Sequence, residues 1–343
     1  MKSPRITSLD VARRAGVSRS TVSMVINNYQ AITLSAATRE RVLKAAAELG
    51  YAPNSAGRNL VRGDTETIGL IVSDPRILQF DGFVPQMLYG IATVNRQHGY
   101  RVLVEGLEAD GRPQTYQRLV ESRQIDGLIV LNPAYDSPEL RALIDRGFPV
   151  VLAGTVGLPN EYAVHISGNG GLAAAAKYLN TLGHRRIGTV PFSRVHPSTS
   201  DGRVAALRAA LEAQGLELLD EDVEPADFSA ASGATATTQL LARRPDLTAI
   251  FAGNDTIAVG VLSAARNLGR RIPDDLSVIG FDDLPFAAYL SPSLTTIRTD
   301  GVQQGARAAD MLIQILKGTA SRSHRLVMET ELIIRASSGP VSL

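Results

Sequence analysis

At 343 residues the chain is too long for a single core, and 44% hydrophobic with 20% charged residues is the composition of an ordinary globular protein. No apolar run reaches the roughly eighteen residues of a membrane span, and Met1–Thr7 has no apolar stretch behind its basic residues, so neither a span nor a secretion signal is expected. The absence of cysteine excludes disulfides, thiolate metal sites and cysteine nucleophiles; the five histidines (98, 165, 184, 196, 324) lack metal-type spacing, so a cytoplasmic location without metal or cofactor is expected.

The net charge of +1 conceals an asymmetry. Residues 1–63 carry ten Lys and Arg against three acids, a net of +7, and the remaining 280 residues carry 25 against 31, a net of −6. A small basic unit on a mildly acidic body suits docking of one end on phosphates.

In chain order, Thr7 and Asp10 form a helix-start signal, followed by Val11, Ala12 and Ala15 on one face and a break at Gly16. Ser18 is a good cap for a second helix, in which Val22, Val25 and Ile26 face inward. Ser20, Ser23, Met24 and Asn27 make its opposite stripe, with Arg19 at the exposed start. A third helix after Ser35 is expected to bury Val42, Ala46 and Leu49 and to stop at Gly50. Short helices joined by a glycine turn, the second with a polar outer face, can lay a recognition helix in the major groove, where hydroxyls and amides hold phosphates or read base edges.

The run Thr7-Ser8-Leu9-Asp10-Val11-Ala12-Arg13-Arg14-Ala15-Gly16-Val17-Ser18-Arg19-Ser20-Thr21-Val22-Ser23 resembles the helix-turn-helix of the lactose-repressor (LacI/GalR) family. Asn27, Thr38–Val42 and Gly50–Asn54 continue the match. The resemblance implies that Arg19, Ser20 and Met24 read bases while Thr7, Ser18, Thr21, Ser23 and Asn27 mostly hold the backbone. The family usually places arginine or another polar group at Met24. Arginine grips guanine O6 and N7 together, a contact worth about 1–3 kcal/mol, whereas methionine can only pack on a thymine methyl.

Residues 54–63 have the length of about two helical turns, with Asn54 as cap; a helix this short is marginal alone in water. The resemblance implies a hinge that folds on DNA when two copies meet, with Asn54 and Leu60 among the DNA contacts and Leu60 wedged into the minor groove. Gly57 stands where the family has alanine, which makes ordering harder.

Beyond the hinge, apolar runs Ile68–Val72, Val102–Val104, Leu128–Leu131, Val150–Ala153, Ile187–Val190, Ala249–Ala252 and Val278–Phe281 alternate with helical stretches. Repeated β-α units with continuous apolar strands mean parallel sheets covered on both faces, here as two lobes of about 140 residues. Such lobes bind ligands at the carboxyl ends of their strands.

Leu182–Ile187, Ala249–Asp255, Ser277–Asp283 and Ser291–Ile297 resemble the family's core signatures. The implied whole is an N-terminal all-α helix-turn-helix domain (1–53, motif about 8–27) with a hinge helix (54–63), followed by a two-lobed α/β core (64–343) of the type I periplasmic-binding-protein fold. A strand-helix segment near 292–320 should cross back to the first lobe. Ligand contacts carried over by position are Phe83, Arg203, Phe228, Asn254 and Asp282: aromatic faces, a guanidinium fork, an amide and a carboxylate. Gly154 and Ser167 stand where the family often has sugar-binding aspartates, and Arg194 and His196 lie near Arg203 in sequence. An anionic or less hydroxylated effector therefore stands beside a sugar.

The expected partners are double-stranded operator DNA, a small-molecule effector and a second copy of the chain, since one recognition helix reads only a half-site. The tail Arg335–Leu343 has no heptads to support a tetramer. The chain shows no G-x-S-x-G, no Walker-type loop and no dinucleotide fingerprint, so an enzyme is not expected. A transport-type binding protein would lack the DNA module. The reading is a ligand-responsive transcriptional regulator, by family precedent a repressor.

Overall fold

Capping and apolar spacing set the helices of the first of two units, Met1–Thr65 and Glu66–Leu343, into which the chain divides. The computed structural model describes residues 6–26, 34–51, 64–72, 75–107, 115–192, 200–320 and 324–341. Asn27, the hinge 54–63 with Asn54, Gly57 and Leu60, and Arg194 and His196 lie outside the described residues.

The first unit holds α1 (Ser8–Ala15), α2 (Arg19–Ile26) and α3 (Ala36–Glu48). The Asp10 carboxylate accepts both the Thr7 backbone N–H (2.9 Å) and the Thr7 hydroxyl (2.6 Å), fixing the start of α1. Gly16 ends it at φ 66°, a left-handed conformation open to glycine at little cost. Ser18 and Ser35 cap the next two helices by accepting the N–H groups of Thr21 (3.1 Å) and Thr38 (3.2 Å). Val11, Ala12, Ala15, Val22, Val25, Val42, Ala45 and Ala46 form the core. Leu49 packs only at its edge; Ala45, a turn earlier and on the inner face, is buried instead.

The second unit begins with β1 (Thr67–Val72), α4 (Ile77–Phe80), α5 (Phe83–His98), β2 (Arg101–Gly106), α6 (Thr115–Glu121), β3 (Gly127–Leu131), α7 (Pro138–Asp145), β4 (Val150–Ala153) and β5 (Tyr162–Ile166). It continues with α8 (Asn169–Thr181), β6 (Ile187–Val190), α9 (Ser200–Glu212), α10 (Ala230–Arg243), β7 (Ala249–Ala252), α11 (Asp255–Asn267), β8 (Ser277–Asp282) and β9 (Thr295–Arg298). It closes with α12 (Gly301–Leu316), β10 (Arg325–Met328) and β11 (Glu331–Ile333).

Among the described residues the strands form two sheets, ordered β10-β5-β4-β3-β1-β2 and β11-β9-β8-β7-β6. Their pairings are parallel apart from the antiparallel edge pair β11–β9. The strands β3, β4, β6, β7 and β8 are buried throughout, β6 even though it ends its sheet, as continuous apolar runs require.

The return to the first lobe differs from the expected strand-helix segment. β9 stays in the second sheet, only α12 crosses back, and β10 joins the first sheet before β11 returns to the second. The chain thus passes between lobes three times, after β5, after β9 and after β10. Gly168 precedes α8, and Gly171 lies in the first turn of that helix, where Ile297 and Thr330 leave no room for a Cβ.

Two family signatures prove to be structural. His184 Nδ1 meets Thr248 Oγ1 at 2.9 Å and its Nε2 meets the Gly339 carbonyl at 3.0 Å, tying the C-terminal segment to the second lobe. Asp255 accepts the Thr296 hydroxyl (2.6 Å) and the Leu284 N–H (2.7 Å), joining α11 to the ends of β8 and β9.

Candidate functional site

In the first unit, Thr7, Ser18, Arg19, Ser20 and Ser23 are exposed and Thr21 and Met24 half-buried. Capping by Ser18 sets the start of α2, and its Oγ also lies 2.6 Å from Ser20 Oγ and 2.9 Å from Thr21 Oγ1. Arg19 Nε donates to Ser8 Oγ at 2.9 Å, which braces the guanidinium across the turn between α1 and α2. The unit presents a polar, cationic helix face with Met24 as its apolar member.

In the second unit a cleft of about 250 Å³ opens between the lobes, at the carboxyl ends of their strands. Phe83, Arg203, Phe228, Asn254 and Asp282 all line it. Gly154 lines it too, at φ 130°, so no side chain projects from the position where the resemblance implied a carboxylate in relatives.

Phe83 enters from the first turn of α5, and the other four come from the second lobe. Arg203 on α9 donates from Nη1 to the Gly253 carbonyl. Its Cζ lies 3.6 Å from the ring centroid of Phe281 and 5.0 Å from that of Phe192. Phe192 in turn packs on Phe228 with centroids 4.8 Å apart. Half of the chain's eight phenylalanines therefore meet in this cleft, a concentration of faces on which a flat ligand can stack.

Asn254 combines two roles. Its Oδ1 accepts the Ile257 N–H at 2.7 Å and caps α11, while its buried Nδ2 has no partner among the described residues. A buried donor without a partner is costly, and an acceptor on a ligand would satisfy it.

Asp282 ends β8 at φ 109°, a strained value for an aspartate, and Asp283 follows at φ 55°. The strain is held from behind: Asp283 accepts Arg298 Nε at 2.7 Å and Arg335 Nη2 at 2.6 Å. The two neighbouring carboxylates thus diverge, one to the cleft and one to the frame. Burial raises the Asp282 carboxyl well above its ordinary value, and Arg203 opposes the rise.

Several lining residues lay outside the sequence-derived set. Phe192 follows the apolar run of β6, and Phe281 sits within that of β8; both read as core until the strand ends are known. Asp81 between α4 and α5, His165 at the end of β5 and Gln304 on α12 carry no periodic signal.

Asp255 lies behind the cleft, and burial pushes its carboxyl up to about 7. Between pH 4 and 7 the folded chain then holds a proton that the unfolded chain releases, so stability falls as pH rises through that window. Asp255→Asn keeps both partners without the buried charge. It should melt higher than wild type at pH 8, by an amount on the order of 2 kcal/mol or more, with a flatter pH profile. Equal pH slopes in thermal melts of the two proteins would contradict this.

An all-α unit with an exposed cationic helix, joined to a two-lobed parallel-sheet core with a ligand-sized cleft, defines the class of DNA-binding regulators with a ligand-sensing core. Residues 7–54 match the model of bacterial regulatory proteins of the lacI family, and residues 176–338 match that of a periplasmic binding protein-like domain. The chain is 35% identical over 335 residues to the HTH-type transcriptional regulator CelR of Thermobifida fusca, covering 95% of this chain and 96% of the relative. A lac repressor dimer bound to operator and the anti-inducer ONPF superposes with a TM-score of 0.86 at 27% identity, covering 98% of this chain and 100% of the other. A CelR–cellobiose complex superposes with a TM-score of 0.72 at 33% identity, covering 97% and 100%. The chain belongs to the LacI family of transcriptional regulators, and the named relatives are regulators rather than enzymes.

Proposed function

We propose that this chain is a dimeric repressor acting in the cytoplasm, whose affinity for a pseudo-palindromic operator is set by a hydroxyl-rich small molecule, a sugar, held in the cleft between its lobes. The buried Asn254 Nδ2, without a partner among the described residues in a cleft lined by aromatic faces, a guanidinium and two carboxyls, is the observation that carries the ligand reading. It is supported by the cellobiose complex of CelR and by the operator-bound dimer of the lac repressor.

In this reading Arg19, Ser20 and Met24 face base edges, and Thr7, Ser18, Thr21, Ser23 and Asn27 hold the backbone. Asn54 and Leu60 complete the DNA contacts from the hinge. Phe83 and Phe228 stack on the effector, while Arg203, Asn254 and Asp282 fix its hydroxyls. Closing the cleft around the effector changes the angle between the lobes and so the geometry offered to the hinges.

Selection of bound sites from a random duplex library tests the DNA side. A two-fold symmetric site is expected, and a single asymmetric site would contradict the dimer. The same selection on Met24→Arg should introduce a guanine preference at one base pair of each half-site, worth about 1–3 kcal/mol. An unchanged site would show that Met24 does not face a base.

A further inference from the structure

Among the described residues the cleft carries more acid than base. Asp81 from the first lobe and Asp282 from the second line it, against the single guanidinium of Arg203. That guanidinium also donates to the Gly253 carbonyl and lies over the Phe281 face. His165 lines the cleft as well, and burial holds its imidazole below the ordinary histidine value, toward the neutral form.

The position of Asp81 is specific. Phe80 accepts the Thr256 hydroxyl of the second lobe at 3.3 Å, and a Cβ on Gly82 would come within 2.8 Å of Leu284 Cδ1 of the same lobe. Asp81 therefore sits in the seam where the lobes touch. Its Oδ1 accepts the Phe83 N–H at 2.9 Å, which orients the carboxylate where it lines the cleft. Burial raises the carboxyls of both Asp81 and Asp282, while the Phe83 N–H and the nearby Arg203 guanidinium favour the charged form of Asp81.

We propose that Asp81 is the charge filter of the effector cleft: from the first lobe, opposite Arg203 and Asp282, it accepts a hydroxyl or ammonium group of the effector and excludes carboxylate- and phosphate-bearing analogues. The proposal rests on the cleft being the effector site. It resolves the choice between a sugar and an anion against the anion, because a like charge in a low-dielectric cleft costs affinity steeply.

The test is a thermal-shift screen of the full chain against a metabolite library. The library includes matched neutral, acidic, phosphorylated and amino sugars: glucose, glucuronate, glucose 6-phosphate, glucosamine, cellobiose and its aldonic acid. Calorimetry of each hit then follows on wild type, Asp81→Asn and Asp81→Ala. Wild-type hits are expected to be neutral or cationic. Asp81→Ala should weaken a neutral hit about tenfold, and Asp81→Asn, which keeps an acceptor for the Phe83 N–H, should strengthen the acidic analogue about tenfold.

An anion that binds wild type more tightly than its neutral analogue overturns the proposal, as does a neutral hit indifferent to Asp81→Ala. Hits that are neutral but not sugars overturn the sugar reading and leave the filter standing. A library without any hit overturns both. Melting of the unliganded variants separates loss of the Asp81–Phe83 hydrogen bond from loss of a ligand contact.

Discussion

Arg203→Ala is expected to weaken effector binding by about 100-fold or more, with operator binding in the absence of effector retained. The guanidinium is the cleft's one described arginine, and it combines a bond to the Gly253 carbonyl with stacking over Phe281. A charge-assisted hydrogen bond to a ligand contributes about 1.5–3 kcal/mol, and the stacked cation about another 0.5–2 kcal/mol. Truncation also leaves the Gly253 carbonyl without its donor. Lysine should not rescue, because a point charge cannot stack flat on Phe281 while reaching two acceptors. Calorimetry with a cleft ligand and fluorescence anisotropy on a selected operator separate the two activities. An affinity within threefold of wild type would remove Arg203 from the effector site.

The second large effect is structural. Gly90 on α5 and Gly305 on α12 let two helix backbones meet: a Cβ on Gly90 would collide with the Val302 carbonyl oxygen, and one on Gly305 with that of Met87. Neither clash can be relieved by turning a flexible side chain. Gly90→Val should therefore destabilise the core by about 3 kcal/mol or more, at the upper end of overpacking, or prevent its folding. Gly202, on a helix with nothing within 4 Å of a built Cβ, is the control; its alanine variant should melt at or above wild type. Chemical denaturation of the three proteins checks the contrast. A Gly90→Val protein as stable as wild type would mean that the helices do not cross so closely.

The parts legible in the sequence were those set by short-range rules. Thr7, Asp10, Ser18 and Ser35 announced helix starts through capping, and the buried runs of β3, β4, β6, β7 and β8 announced parallel strands through unbroken hydrophobicity. β5, β10 and β11 were missed because they are short and mix apolar with polar residues, β10 and β11 at sheet edges where one flank is open. The triple passage between lobes depends on which edge each late strand joins, a long-range property without a local pattern. In the cleft, the five residues carried over by family resemblance do converge on one cavity. Asp81, Phe192 and Phe281 escaped because their roles follow from lobe geometry rather than spacing. Asp81 looks like a loop carboxylate until the second lobe is seen against its neighbours Phe80 and Gly82.

The helix-turn-helix unit and the cleft should be linked through one equilibrium, and linkage makes this measurable in both directions. Operator affinity is measured by anisotropy with and without a saturating cleft ligand, and ligand affinity by calorimetry with and without operator. The two ratios should be equal and differ from one by about fivefold or more, the scale of a coupling near 1 kcal/mol. A ligand that fills the cleft and leaves operator affinity unchanged would contradict the account.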